Sequence, residues 1–194
     1  MQVVNYQREV YYMSELINKL SAMNTDKSVE KVEVVNEIKA FIKESDYDLV
    51  ELDDSRPWGA FFKLDNDNAD SFVAEFFPGL SPTEARLGND ELELSPKILL
   101  VSPDQQLSWQ YHNRRAELWA FLNEGAIRRS HMDEQSDIEI INGGEIIKLA
   151  TYERHRLIGH AALYTIVAEI WQHTDLNNPS TEDDIIRLHD HYGR

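Results

Sequence analysis

From residue 47 onward the chain is a succession of short stretches rich in Val, Ile, Phe and Leu, each closed by a polar turn: WGAFFKL, SFVAEFF, KILLVS, LSWQYH, AELWAFL, DIEII, EIIKLA and LYTIVAEIW. Apolar runs of this length at this spacing restrict the region to an all-β barrel or sandwich. Asn142-Gly143-Gly144, between DIEII and EIIKLA, predicts a hairpin, because glycine accepts the positive φ that a tight turn needs. Residues 78–96 hold three prolines and two glycines and predict a long loop. Ahead of the strands, residues 6–23 and 28–45 carry apolar side chains at mixed three- and four-residue spacings. They predict two helices joined around Asn24 to Lys27, with Thr25 or Asp26 capping the second. The VEVV patch at 32–35 pulls the other way, since β-branched residues favour strands. The expected organisation is therefore a helical extension over 1–46 and a β-barrel with a C-terminal tail over 47–194.

Composition narrows the function. No run of 18 apolar residues occurs in the 194, and the first 25 lack the basic start and apolar centre of a signal peptide, so neither a membrane span nor export is expected. The absence of cysteine fits a reducing, cytoplasmic setting and removes thiolate catalysis and cysteine zinc sites from consideration. A net charge of −16 argues against nucleic acid or an anionic membrane as partner. The cations are unevenly placed: seven of eight lysines precede residue 100, while eight of eleven arginines and all seven histidines follow it. That asymmetry suits either a small anionic ligand held by planar guanidinium forks or surface ion pairs in an acidic chain.

The densest chemistry lies in SWQYHNRRAELW, residues 108–119. In a strand, Gln110 and His112 share a face with Ser108. Glu117, an odd number of residues from His112, joins them only if the chain turns or bulges around Asn113 to Ala116. His155, in TYERHRLIG, is the best further ligand from another strand. Gln110, His112, Glu117 and His155 make an oxygen-and-nitrogen set suited to zinc or another divalent ion with one position open. The alternative is a satisfied polar network in which His112 hydrogen-bonds Glu117.

Several motifs, in order, resemble the cupins and within them the type II phosphomannose isomerase group. Arg56-Pro57-Trp58-Gly59 with Phe62 looks like that group's RPWG signature. Lys97, Pro103 and Leu107 to His112 resemble its K-I-x-V-x-P-G-x-x-L-S-L-Q-x-H segment. Arg115-Ala116-Glu117-Leu118-Trp119 is similar to its H-R-x-E-x-W, and His155-Arg156 to the H-R that ends I-P-x-G-x-x-H-R. The end of the chain, Asp183-Asp184-Ile185-Ile186-Arg187 through Asp190, Tyr192, Gly193 and Arg194, resembles D-D-I-x-R-x-x-D-x-Y-G-R. The resemblance covers residues 50–194 and implies a double-stranded β-helix barrel. It also implies one divalent metal, with zinc the first expectation, and interconversion of mannose 6-phosphate and fructose 6-phosphate. In that reading Arg115 or Arg156 adds charge beside the metal, and Glu169 and Asp184 are candidate catalytic carboxylates. Arg56, Arg187 and Arg194 are candidate phosphate anchors, and Trp58, Lys97, Asp190 and Tyr192 further substrate contacts. A homodimer through residues 1–45 is one use for the helices.

The chain departs from the pattern at several points. Asp104 stands where the motif has glycine, Leu149 to Arg156 lack its proline and glycine, Arg114 replaces a histidine, and only Glu169 of an E-x-Q-x-G strand is in register. These departures keep open a non-catalytic sugar-binding cupin, or an isomerase of another sugar such as a heptose phosphate. Trp58, Trp109, Trp119 and Trp171 read as core rather than a sugar platform, and His189 and His191 as exposed. Asp183 and Asp184 either supply a carboxylate or cap a helix around DIIRLHD.

Overall fold

Eight consecutive strands pair from the outside in. In the computed structural model, which describes residues 15–193, β3 (Leu94–Val101) pairs with β10 (Thr165–His173), and β4 (Trp109–His112) with β9 (Arg154–Ile158). Inside these, β5 (Arg115–Phe121) pairs with β8 (Ile146–Leu149), and β6 (Gly125–Ser130) with β7 (Glu139–Ile141). All pairs are antiparallel, and the chain passes repeatedly between two sheets. This nested pairing is a jelly roll, the double-stranded β-helix of the cupins. β1 (Leu49–Asp53) and β2 (Gly59–Leu64) extend one sheet to β1-β2-β3-β10-β5-β8, and β11 (Ile185–His189) completes the other as β11-β4-β9-β6-β7.

Both faces of the six-stranded sheet are covered. Ile98, Leu100, Leu118, Ala168 and Ile170 point outward and pack under helices α1 (Glu15–Ala22), α2 (Lys31–Lys43) and α3 (Ala69–Phe76), through Leu16, Leu20, Ile38, Ile42, Phe72 and Phe76. The alternate residues Leu99, Val101, Trp119, Phe121 and Val167 fill the barrel with Ile127, Ile141 and Leu157. Burial on two faces is why β3, β5 and β10 read as almost unbroken apolar runs. The apolar faces of α1 and α2 are thus used inside the chain.

Several expectations are corrected. SFVAEFF is helical, not a strand: Ala69, Phe72, Val73 and Phe76 recur at helical spacing and turn one face to the core. Residues 78–96 contain the short helix α4 (Pro82–Ala85), started by a Ser81–Glu84 capping box, and are already in β3 by Leu94. Asp26 does not cap α2; it accepts from Ser28 N–H, and α2 begins after Glu30 without a side-chain cap. Asn142-Gly143-Gly144 is a turn but not a hairpin, since β7 and β8 belong to different sheets. Gly144, at φ 89°, donates to Phe121 O at 2.7 Å and steers the chain across the barrel. DIIRLHD forms β11 rather than a helix because it completes the edge beside β4. Of the predicted helix over 6–23, residues 15–23 fall within the described residues and Glu15–Ala22 are helical; Arg194 lies outside them.

Three backbone positions frame the site. Gly59 lies so close to β3 that a Cβ there would meet Leu100 O at 1.8 Å, so the RPWG glycine is fixed by sheet packing. Asp104 and Tyr152 stand where the resembled motifs have glycine, and both keep the left-handed conformation, at φ 59° and 61°. Tyr152 N–H donates to His112 O at 2.8 Å, which holds the β8–β9 turn in place despite the lost glycine. Tyr152→Gly is therefore expected to stabilise the fold by about 0.5–1 kcal/mol in chemical denaturation. A loss of stability would mean that the ring's contact with Tyr111 outweighs the strained φ.

Candidate metal centre

The turn at Asn113-Arg114 resolves the parity of SWQYHNRRAELW. β4 ends at His112 in one sheet and β5 begins at Arg115 in the other, so Glu117 faces His112 from the opposite wall. No bulge is needed. His155 arrives on β9, directly across from Gln110 in the register. His112, Glu117 and His155 are all buried, and one ligand atom from each lies within 4.8 Å of the others. His112 Nε2 is 3.2 Å from Glu117 Oε1, and His155 Nε2 is 3.3 Å from Glu117 Oε2. Gln110 lines a cavity with Glu117, its Oε1 accepting from Ser108 Oγ.

The outer nitrogens set the tautomers. His155 Nδ1 donates to Glu153 O at 2.9 Å and His112 Nδ1 to Asp184 O at 3.2 Å, which leaves both Nε2 lone pairs aimed inward. Burial pushes the His112 imidazole below its ordinary value, so it is neutral near pH 7. Burial alone would raise the Glu117 carboxyl, but the positive charge beside it, the Arg115 guanidinium hydrogen-bonded to Oε1, holds the group well below the usual carboxylate range. Glu117 Oε2 and His155 Nε2 are buried without a hydrogen-bond partner. Two lone-pair atoms left unpaired and facing each other are costly unless a cation lies between them. The donor set therefore fits a divalent ion. Arg115 Nη2 lies 3.3 Å from His112 Nε2, so an ion held by both imidazoles displaces that contact.

Arg115 is fixed at many points. It donates from Nε to Glu117 at 2.9 Å and from Nη1 to Ser180 Oγ and Thr181 O, and it stacks 3.3 Å from the centre of the Trp171 ring. Lys97 Nζ stands 3.3 Å from that ring centre too, and pairs with Glu182 at 2.8 Å. Lys97 and Glu169 are direct partners across β3 and β10. Burial raises the Glu169 carboxyl, the Glu117 charge raises it further, and it stands at about 7; Trp119 Nε1 donates to it at 3.0 Å. These groups surround a cavity of about 60 Å³, with Arg56, Trp58 and Arg187 also on its wall.

Other predicted residues stand elsewhere. Asp184 does not line the cavity: its carboxylate accepts from Asn113 N, Arg114 N and Ser180 Oγ, holding the turn that aims His112. Arg156, next to His155 on a strand, points to the opposite face and reaches His189 and Gln106. Asp190 and Tyr192 lie in the C-terminal segment, with Tyr192 Oη donating to Gln105 Oε1 at 2.9 Å, and neither lines the cavity. All four tryptophans are buried, though Trp58 and Trp171 also form cavity wall. His189 and His191 are exposed, as expected. Glu182 went unpredicted; within the acidic run TEDD, only the fold shows which carboxylate meets Lys97.

No protein-family model matches the chain, and no curated protein matches it in sequence. Among solved structures it is similar to Bacillus subtilis oxalate decarboxylase at 11% identity, over 76% of this chain and 31% of that one, with a TM-score of 0.48. It is also similar to vicilin from hazelnut, Corylus avellana, at 9% identity, over 73% of this chain and 34% of that one, with a TM-score of 0.47. A Cupin 2 conserved barrel domain protein from Salinispora arenicola matches at 12% identity, over 40% of this chain and 61% of that one, with a TM-score of 0.35. The chain spans about a third of the length of the first two. By its own strand pairing and site, it is a cupin-type barrel whose interior carries a His-Glu-His group able to hold a metal ion. Among the described residues, no helix is long and apolar enough to cross a membrane.

Two outcomes are expected. Zinc or manganese added to chelator-treated protein raises the melting temperature, and His155→Ala removes that rise; an equal rise in the variant would place the ion elsewhere. In metal-free protein, the raised carboxyl of Glu169 contributes stability that is complete below about pH 4.5 and lost as pH climbs through about 7. The stability of wild type minus that of Glu169→Gln should thus fall by about 1–3 kcal/mol across that interval, measured by urea unfolding. A difference independent of pH would show that Glu169 titrates normally.

Proposed function

We propose that the chain is a metal-dependent aldose–ketose isomerase of sugar phosphates, with mannose 6-phosphate and fructose 6-phosphate the first pair to test and zinc the first metal. The observation that carries this reading is Glu169. A buried carboxyl at about 7, on the wall of the cavity that Gln110 and Glu117 also line, is poised to take up and return a proton near neutral pH. Aldose–ketose exchange needs that shuttle between neighbouring carbons, together with positive charge at the oxygen that becomes an enediolate.

Gln110, His112, Glu117 and His155 would hold the ion, which when bound supplies Lewis-acid stabilisation of that oxygen. Trp119 Nε1–H orients the Glu169 carboxylate, and Lys97, its cross-strand partner, supplies the nearest mobile positive charge. Arg115 keeps Glu117 ionised and its ring contact with Trp171 fixes one wall. Arg56 and Arg187, on the cavity wall, are the proposed phosphate anchors. At about 60 Å³ the cavity is far smaller than the roughly 300–1,000 Å³ of typical small-molecule sites. Substrate entry thus requires the Lys97–Glu182 pair to open, and an anionic substrate group can replace the Glu182 carboxylate on Lys97.

The small cavity also favours a second reading, a barrel that binds a sugar or its phosphate without turnover. A coupled assay of mannose 6-phosphate conversion, with zinc, manganese or cobalt, separates the two. Isomerisation is expected to rise with pH as Glu169 loses its proton, and Glu169→Gln to lower kcat by roughly 10²–10⁴ with little change in KM. Ligand-induced stabilisation with no product from hexose or heptose phosphates would leave the binding reading in its place.

A further inference from the structure

The outer face of the five-stranded sheet carries a second polar cluster that shares no residue with the cavity. Arg128 on β6 and Arg156 on β9 are direct partners in the antiparallel register, so two guanidinium side chains lie side by side on one face. Among the described residues neither forms a salt bridge, in a chain whose net charge is −16. Arg156 is 2% exposed, and its Nε is buried with no hydrogen-bond partner. Its other nitrogens are used: Nη2 donates to His189 O at 2.9 Å and faces His189 Nδ1 at 3.1 Å, and Nη1 reaches Gln135 Oε1 at 3.3 Å and Gln106 Oε1 at 3.5 Å. His191 packs against His189 with ring centres 4.6 Å apart and planes at 81°. Gln106 Nε2 lies 3.3 Å from His191 Nδ1.

Tethering the C-terminal segment explains the Nη contacts of Arg156. It does not explain a like-charged partner directly opposite, or a buried Nε–H left unpaired; each is a cost that an anion would remove. The rim is accessible, since His189, His191 and Gln135 are exposed and Arg128 is half-buried. Guanidinium forks match phosphate oxygens, and imidazoles at right angles bring donors from more than one plane, which suits a tetrahedral ion over a flat carboxylate.

We propose that Arg128, Arg156, His189 and His191 form a binding site for a phosphate group on the outer face of the barrel, separate from the metal centre. The site is independent of the isomerase reading and stands or falls alone. The test is calorimetric titration of inorganic phosphate into the full chain, freed of metal, alongside Arg128→Gln and Arg187→Gln. Arg128→Gln should weaken phosphate binding by roughly tenfold or more in the Arg187→Gln background as well as in wild type, so that any phosphate held by the cavity, where Arg187 is a proposed anchor, is counted separately. Without phosphate, Arg128→Gln should melt at a higher temperature than wild type, because the repulsion is gone.

Phosphate binding untouched by Arg128→Gln, binding lost in Arg187→Gln alone, or no binding to wild type would each overturn the proposal. Should Arg128→Gln fail to fold, Arg128→Lys keeps the charge and removes the fork; weaker binding then supports the site and unchanged binding overturns it. A parallel titration with methyl phosphate identifies the source within a supported site. Equal affinity points to the phosphoryl end of a larger molecule, and preference for the inorganic ion to free phosphate.

Discussion

The interior of this barrel is organised around one buried carboxylate. Glu117 projects from the six-stranded sheet toward two imidazoles of the opposite sheet, and Arg115, two residues earlier on the same strand, holds one of its oxygens. Leaving such a group buried and half-paired would cost several kcal/mol. Two features reduce that cost: Arg115 supplies fixed charge to one oxygen, and a cation shared with the lone pairs of His112 and His155 would complete the other. Structure farther out serves the same arrangement. Asp184 holds the turn that aims His112, Glu153 O fixes the tautomer of His155, and Tyr152 bonds back to His112 O.

The same alternation of side chains divides the barrel lengthwise. On β3 and β10, Lys97 and Glu169 are inward partners near one end, while Leu99, Val101 and Val167 are inward toward the other. Polar chemistry thus sits at the end closed by Glu182 and β11, and close-packed hydrocarbon fills the rest. Helices α1 to α3 bury the outward residues of this sheet, so the strands carrying Lys97, Glu117 and Glu169 are held between two packed layers. A rigid wall of this kind keeps buried ionisable groups at fixed separations, the condition for pushing Glu169 up toward 7 while Glu117 is held down.

Much of this was legible in the sequence, and what was not has identifiable causes. Gln110, His112 and Glu117 could be proposed from strand alternation and a turn at NRR, and His155 from its place in a later strand. What local pattern could not show is that the turn changes sheets. The glycine missing from the motif before His155 suggested a disturbed turn; Tyr152 adopts the glycine conformation instead, fixed by the hydrogen bond that its N–H donates to His112 O, 40 residues earlier. β6 and β11 escaped notice because GAIRRS and IIRLH mix Arg and His among their apolar residues, and only pairing partners reveal them as strands. SFVAEFF misled because a helix with a wide apolar face and a buried strand look alike over seven residues. Arg156 shows the limit of motif proximity: its neighbour His155 faces the metal centre, and pleating sends Arg156 the other way.

The most direct measurement is X-ray absorption at the metal edge of zinc-loaded protein. A shell of nitrogen and oxygen neighbours at about 2.0–2.2 Å, with the outer-shell scattering of two imidazole rings that His112→Ala reduces to one, is the expected result. A zinc shell without imidazole scattering, or one that His112→Ala leaves unchanged, would contradict the metal centre and with it the isomerase reading.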